Sequence, residues 1–315
     1  MNKNKKILIT GGAGYLGSMI ATYLVKEGHE VTIIDKMVFS KTSLLHLHFF
    51  KNFNFIEGDV LNKNLIKKNL KNKDFIIPLA ALVGAPLCDK HPRMTKQLNV
   101  EAIRTICQLA SKKQKIIYLT SNSGYGIGKK DKYCDENSPL NPVSLYGKTK
   151  NEAEKIVIKR GNCIAFRLAT VFGFSYRMRT DLLVNFMTLK ALKEGEIKVF
   201  EPHFRRNFIH VRDVANAILF SIKNFEKIKN NTYNLGLSTA NITKLDLLKK
   251  IKKYVPKLKI IINNKFKDPD QRDYFVSNRK IEKVGFKASI DLDTGIKELI
   301  KVFNIIKNQK FKNNY

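Results

Sequence analysis

The feature that most restricts this chain is a regular alternation in its first half. Short apolar runs at 6–10, 31–35, 53–57, 75–79, 116–121 and 163–168 are separated by stretches with helical spacing, such as 15–27 and 100–111. Runs such as ILIT and VTIID leave no polar face, so strands built from them must be covered on both sides. Strand and helix alternating at this spacing predict an α/β fold, a doubly wound parallel sheet with helices on both faces. Past about residue 170 the alternation weakens, and apolar helical patterns at 181–194 and 244–254 take over. The expected division is a first unit over 1–170 with a return strand near 207–237, where TYNLGL stands at 232–237. A smaller, interleaved α/β unit would then take 171–206 and 238–315.

The first apolar run ends in a glycine-rich turn, Gly11-Gly-Ala-Gly14-Tyr-Leu-Gly17, that opens a helical pattern. In that setting Gly11 permits a tight turn, Gly14 lets a pyrophosphate approach the backbone, and Gly17 lets helix pack on strand. The N–H groups of the helix start then face the phosphates. The second run ends at Asp35, eighteen residues past Gly17. A carboxylate there accepts hydrogen bonds from an adenosine ribose and repels a 2′-phosphate, which favours NAD over NADP. Gly58-Asp59-Val60 and Pro78-Leu79-Ala80-Ala81 follow the third and fourth runs, where an open sheet presents its carboxyl ends. The first unit therefore reads as a Rossmann-like dinucleotide-binding domain.

Tyr146-Gly-Lys-Thr-Lys150 begins another helical pattern, with Ser144 as the expected N-cap. Residues four apart share a helix face, so the phenol and the ammonium can converge. The spacing alone says little, because it also occurs at Tyr125 and Lys129. There the intervening glycines disfavour a helix. Tyr146 also lies 25 residues past Ser121, which ends a predicted central strand.

Taken together, the 11–17 turn, Asp35, Asp59-Val60, Asn99, Ser121, Tyr146 and Lys150 resemble the extended short-chain dehydrogenase/reductase superfamily, the nucleotide-sugar epimerases and dehydratases. The segment RNFIHVRDVA at 206–215 resembles the family's RDFIHVxDVA. The resemblance implies NAD as cofactor and a nucleotide-diphosphate sugar as substrate. It makes Tyr146 the base, places Lys150 on the nicotinamide ribose and gives Ser121 a hydrogen bond to the reacting oxygen. A free tyrosine has a pKa of about 10, so work near neutrality needs a depression of roughly 3 units, about 4 kcal/mol. A neighbouring ammonium and a cationic nicotinamide supply that by opposite charge. The implied cofactor contacts are Gly11, Gly14, Tyr15, Leu16, Gly17, Asp35, Lys36, Asp59, Val60, Leu79, Ala80, Ala81, Asn99, Tyr146 and Lys150. On the substrate side stand Ser121, Asn122, Ser123, Tyr146, Thr170 and Asn185, with Arg206 and Arg272 for the diphosphate.

Dehydratases of this kind carry an Asp-Glu pair after the catalytic Ser or Thr, where this chain has Asn122 and Ser123. Neither serves as an acid or base for elimination, so dehydration is not expected. TSNSGYG at 120–126, LVGAPLCD at 82–89 and RLATVFG at 167–173 resemble the GDP-glycero-manno-heptose 4-dehydrogenases of bacterial surface-polysaccharide synthesis. A 4-epimerase shares the same first half-reaction and is the alternative.

The chain carries 58 Lys and Arg against 27 Asp and Glu, a formal charge of +31. That balance invites a non-enzymatic reading, a catalytically inactive dinucleotide-fold protein that binds RNA or a protein partner. The cations are scattered, 47 of them Lys interleaved with Asn, so neither a nucleic acid nor a membrane surface is expected as partner. Cysteines at 88, 107, 134 and 163 form no CxxC pair, and no metal site is expected. With no leader-like stretch in MNKNKKILIT, the chain is expected to be cytoplasmic. By the same resemblance it would form a homodimer or a dimer of dimers. Helices near 100–111 and 146–159 would meet across a two-fold axis, with Ile103, Ile106 and Ile156 in the seam.

Overall fold

A computed structural model describes residues 4–128, 132–263, 273–306 and Asn313. Its centre is a seven-stranded parallel sheet in the order β11-β7-β5-β4-β1-β2-β3. The strands are β1 (Lys6–Thr10), β2 (Glu30–Asp35), β3 (Phe53–Glu57), β4 (Phe75–Pro78), β5 (Lys115–Ser121), β7 (Cys163–Leu168) and β11 (Asn231–Leu235). Six follow the predicted runs to within a residue or two. The sheet divides its side chains between two layers: Ile7, Ile9 and Ile33 face one buried cluster, and Leu8 and Ile34 the other. Helices α1 (Tyr15–Lys26) and α8 (Val211–Lys223) pack together on the first face. Helices α2 (Lys63–Leu70), α5 (Ala102–Leu109) and α6 (Leu145–Arg160) cover the second. Two short helices, α3 (Ala85–Lys90) and α4 (Pro92–Lys96), lead into α5, and α7 (Leu183–Glu194) lies past the sheet.

Three small sheets hold the other described strands. β8 (Thr170–Phe172), β10 (Arg205–His210) and β12 (Asn241–Thr243) form one. β9 (Glu196–Val199) pairs with β13 (Lys259–Ile262), and β6 (Tyr133–Cys134) with β14 (Phe275–Val276). The return segment expected near 207–237 thus splits. Only β11 joins the main sheet, beside β7, while β10 pairs with β8 and β12. The helix expected over 100–111 is also broken: a π-helical turn at Gln97–Glu101 precedes α5. The expected seam changes too. Ile103 and Ile106 are 3% and 1% exposed and pack under the sheet, so they are unavailable to a second copy, whereas Ile156 is half-buried.

One buried ion pair fastens α6 to the sheet. Arg167 of β7 grips Glu154 of α6 through Nε at 3.1 and 3.2 Å and Nη2 at 2.7 Å, with both side chains under a tenth exposed. Arg167 Nη1 donates to the Tyr125 hydroxyl at 3.1 Å, and that hydroxyl donates to Asn234 of β11 at 2.7 Å. Removing one member strands a buried charge, which typically costs about 3–5 kcal/mol, whereas replacing both with apolar groups is often neutral. Arg167→Met should therefore destabilise the protein by roughly that amount in denaturant unfolding. Arg167→Met with Glu154→Leu should recover most of it. A double variant no more stable than the single would refute this account of the pair.

Candidate active site

The order of connection reverses between β1 and β4, and the carboxyl ends at such a point are where doubly wound sheets hold a ligand. Backbone geometry there is unusually close. A Cβ on Gly11, which sits at φ +74°, would meet Ala80 N at 2.4 Å; one on Gly17 would meet Gly11 O and Gly12 Cα at 2.6 Å; one on Gly14 would meet Gly11 O at 3.2 Å. Gly14 is the N-cap of α1 and supplies no side chain, and the first turn carries no acidic residue. The unsatisfied N–H groups of the helix start are therefore left for an anion. Leu16, Leu79, Ala80 and Ala81, also on this rim, are half-buried.

Asp35 ends β2, the strand beside β1. Its carboxylate accepts from Ala13 N at 3.0 Å and Met37 N at 2.8 Å. Burial raises its pKa, and those two N–H groups work against the rise. Lys36 pairs with Asp59 at 2.9 Å, and Val60 is buried under the sheet. Two more of the residues expected on the cofactor brace nearby backbone. Tyr15 donates its hydroxyl to Gly173 O at 2.8 Å. Asn99, in the π-helical turn, holds Leu82 by both ends, accepting from N at 2.9 Å and donating to O at 3.0 Å. It also reaches Thr149 of α6 at 3.3 Å.

The catalytic candidates meet where α6 packs on the turn after β5. Ser144 caps α6, accepting from Gly147 N at 3.1 Å, as expected. A Cβ on Gly147 would lie 3.2 Å from Ser123 O, and one on Gly124 only 2.4 Å from Asn151 Oδ1. α6 is thus pressed against the turn that follows Ser121, and Thr120 Oγ1 donates to Lys150 O at 3.4 Å. Tyr146 is half-buried, at the mouth, and Lys150 one turn deeper is 7% exposed. The Lys150 ammonium stands 4.3 Å from the Tyr118 ring centre and makes no hydrogen bond or ion pair among the described residues. Burial lowers its pKa from 10.5 to about 7, against the opposing pull of Glu154 and Cys88. Ser121 accepts from Ser123 N at 3.1 Å, which leaves its own proton to donate. Asn122 and Ser123 are 1% and 2% exposed, yet the Asn122 amide and Ser123 Oγ lack partners among the described residues. Unsatisfied buried groups cost about 1–3 kcal/mol each. A ribose hydroxyl would satisfy Lys150, and the glycine turn with Asp35 fits a dinucleotide.

Other expected site residues lie elsewhere or are already engaged. Arg206 of β10 is 3% exposed, donates Nη1 to Arg205 O at 2.9 Å and stands 5.9 Å from the Tyr274 ring centre. Thr170 begins β8, half-buried. Asn185 is fully buried; its amide accepts from Gly173 N at 3.0 Å and donates to Arg179 O at 2.8 Å. That amide is consumed by backbone, so Asn185 shapes the Gly173 turn and cannot also face a nucleotide. Arg272 falls outside the described residues. Tyr125, the second Tyr-x3-Lys match, is a core residue held by Arg167 and Asn234, and its Lys129 also falls outside the described residues. A cavity of about 490 Å³ opens at the opposite, amino end of the strands. It is lined by Lys5, Lys67, Lys71, Lys73, Lys113 and Lys115 among others and contains none of the candidate catalytic groups.

Residues 7–236 match the NAD dependent epimerase/dehydratase family. The chain is 27% identical to the UDP-glucose 4-epimerase of Lactobacillus helveticus, covering 79% of this chain and 81% of that protein. It is 26% identical to the CDP-paratose 2-epimerase of Salmonella typhi, covering 93% and 98%. Its fold is similar to the crystal structure of UDP-glucuronic acid 4-epimerase from Bacillus cereus in complex with UDP-glucuronic acid and NAD. There the TM-score is 0.84 and the identity 21%, covering 96% of this chain and 99% of that one.

The buried ammonium yields a test without substrate. The folded state loses the Lys150 proton near pH 7 and the unfolded chain only near 10.5. The unfolded chain thus binds more protons between those values, and stability rises with pH across that window. Below pH 7 the whole penalty applies, on the order of 2–5 kcal/mol. In nucleotide-free protein, Lys150→Met should raise the melting temperature at pH 6, and the advantage should shrink by pH 9. A variant that melts with the parent at every pH would disprove the burial argument.

Proposed function

Because the chain belongs to the NAD dependent epimerase/dehydratase family, we propose that it is a nucleotide-sugar 4-epimerase, an enzyme that oxidises a sugar C4 hydroxyl and reduces the ketone from its other face. Its cofactor is NAD, which when bound accepts the hydride and gives it back. The observation that supports the reading is the close packing of α6, which carries Tyr146 and the buried Lys150, on the turn that follows Ser121. Tyr146 takes the hydroxyl proton. The buried ammonium stabilises the phenolate electrostatically, and Ser121 donates to the reacting oxygen. Asn122 and Ser123 hold sugar hydroxyls, and Arg206 holds the diphosphate together with Arg272. Relatives of similar identity include a 4-epimerase and a 2-epimerase, which supports an isomerisation without net redox. The smaller unit over 171–206 and 238–315 would supply the nucleotide side of the substrate site.

A second reading rests on the segments at 82–89, 120–126 and 167–173. It makes the enzyme a GDP-glycero-manno-heptose 4-dehydrogenase that releases the ketone with NADH. We place the protein in the cytoplasm as a homodimer or a dimer of dimers. No helix among the described residues is long and apolar enough to cross a membrane.

Incubation with a panel of nucleotide sugars, read by mass spectrometry and NMR, separates the two chemistries. The first gives an epimer with no net NADH, and the second a keto sugar with one NADH per turnover. On the best substrate, Tyr146→Phe should lower turnover by roughly 10²–10⁴-fold while NAD binding persists. Tyr125→Phe should cost stability, about 1–3 kcal/mol, but keep most of the rate. A near-normal rate in Tyr146→Phe would sink the catalytic assignment.

A further inference from the structure

Lys150 carries its ammonium into the protein interior, and the group it meets there is a ring. Its Nζ stands 4.3 Å from the centre of the Tyr118 ring and makes no hydrogen bond or ion pair among the described residues. Tyr118 lies in β5, where side chains two apart share a face. On that face Thr120 Oγ1 donates to Lys150 O at 3.4 Å, so one side of the strand holds both the backbone and the ammonium of Lys150. Tyr118 is fully buried, in the cluster that contains Ala153 and Val157 of α6 and Ile103 and Ile106 of α5. Close packing fixes the ring. Its hydroxyl has no partner among the described residues, so the side chain acts on Lys150 through its π face.

The other titratable groups around the ammonium leave it little else. Glu154, one turn along α6, is held by Arg167 of β7 at 2.7 Å. Cys88 of α3 also acts on Lys150, and Tyr146 of α6 and Cys107 of α5 act on Tyr118. Burial raises both thiols to about 11 and pushes the Tyr118 phenol well above its usual value. All three are therefore neutral near pH 7.

We propose that Tyr118 is a positioning residue for the reaction, its ring face holding the Lys150 ammonium charged and in place where water is excluded. A cation over an aromatic face is attracted by the ring quadrupole, more strongly when both are desolvated. A carboxylate in that position would hold the cation too, but its negative charge would compete with the Tyr146 phenolate. The ring carries no net charge, so the ammonium keeps its full effect on the phenolate. The inference rests on the reading of Tyr146 and Lys150 as the catalytic pair.

Three replacements test it: Tyr118→Phe, Tyr118→Leu, and a ring-fluorinated phenylalanine placed at 118 by codon suppression. The last keeps the shape of the ring and cancels its negative face. The first measurement needs neither nucleotide nor sugar. The gain in melting temperature from Lys150→Met is followed against pH in each background, and the pH at which it fades reports the Lys150 titration. Burial already lowers that point to about 7. It should stay there in Tyr118→Phe. With Tyr118→Leu or the fluorinated ring it should fall by about one unit, a tenfold change in proton affinity and the size of one lost desolvated cation–π contact. The second measurement is turnover on the best nucleotide sugar, whose alkaline fall should move lower by a similar amount in the same two variants. A merely structural Tyr118 would lower melting temperature and rate at every pH and leave both midpoints unmoved, and that result overturns the proposal. If Tyr118→Leu fails to fold, the fluorinated ring decides alone. If the melting midpoint moves but the parent turns over no nucleotide sugar, the hold of the ring on Lys150 stands and the proposed function falls.

Discussion

Backbone atoms around Gly11, Gly12 and Gly17 approach one another more closely than any side chain allows, and the arrangement of both halves follows from that approach. The turn seats α1 directly over the end of β1 and presses it toward the end of β4 at Ala80. From that fixed helix start, the Tyr15 hydroxyl reaches Gly173 and the Tyr15 carbonyl receives Ser175. The segment that follows β8 is therefore docked on the start of α1 itself. A methyl group at Gly11 or Gly17 would shift more than a local loop, because the atoms it would strike are backbone.

Two cations buried near α6 are treated in opposite ways. Arg167 is paired, hydrogen-bonded and linked onward to Tyr125 and Asn234, so it ties α6 to two strands of the sheet. Lys150, one turn before Glu154, has only an aromatic face beneath its ammonium. The first arrangement gives rigidity and the second leaves interaction capacity unspent. Strain of the second kind persists when the surroundings over-determine it, and the Glu154–Arg167 pair is part of that determination. A preorganised charge of this kind needs no reorganisation when the reacting oxygen becomes negative.

The sheet was legible because its signal is periodic and local: continuous apolar runs, glycines at fixed offsets, an acid at the end of the second strand. The Ser144 cap and the Tyr146–Lys150 face were legible for the same reason. What sequence reasoning missed depends on contacts between distant positions. Asn185 looks like a ligand residue until the Gly173 backbone consumes its amide. Asn99 braces Leu82 and Thr149, which are far from it in sequence. Ile103 and Ile106 suit an outer seam as well as an inner one, and helical spacing alone does not say which face meets the sheet. The Glu154, Arg167, Tyr125 and Asn234 network spans four elements with no common motif.

The place of β11 has a consequence during synthesis. The strand pairs with β7, but the chain between them, from Leu168 to Leu235, first builds β8, α7, β9, β10 and α8. At ribosomal rates of about 5–20 residues per second, those 67 residues take roughly 3–13 s to emerge. For that time β7 is an open edge, with unpaired N–H and C=O groups beside Ile164, Ala165 and Phe166, all fully buried in the finished protein. Such an edge is a template for pairing with a neighbouring chain. The nascent protein is thus most exposed to misassembly on a polysome, where identical half-made sheets lie close together, and the late strand ends that exposure.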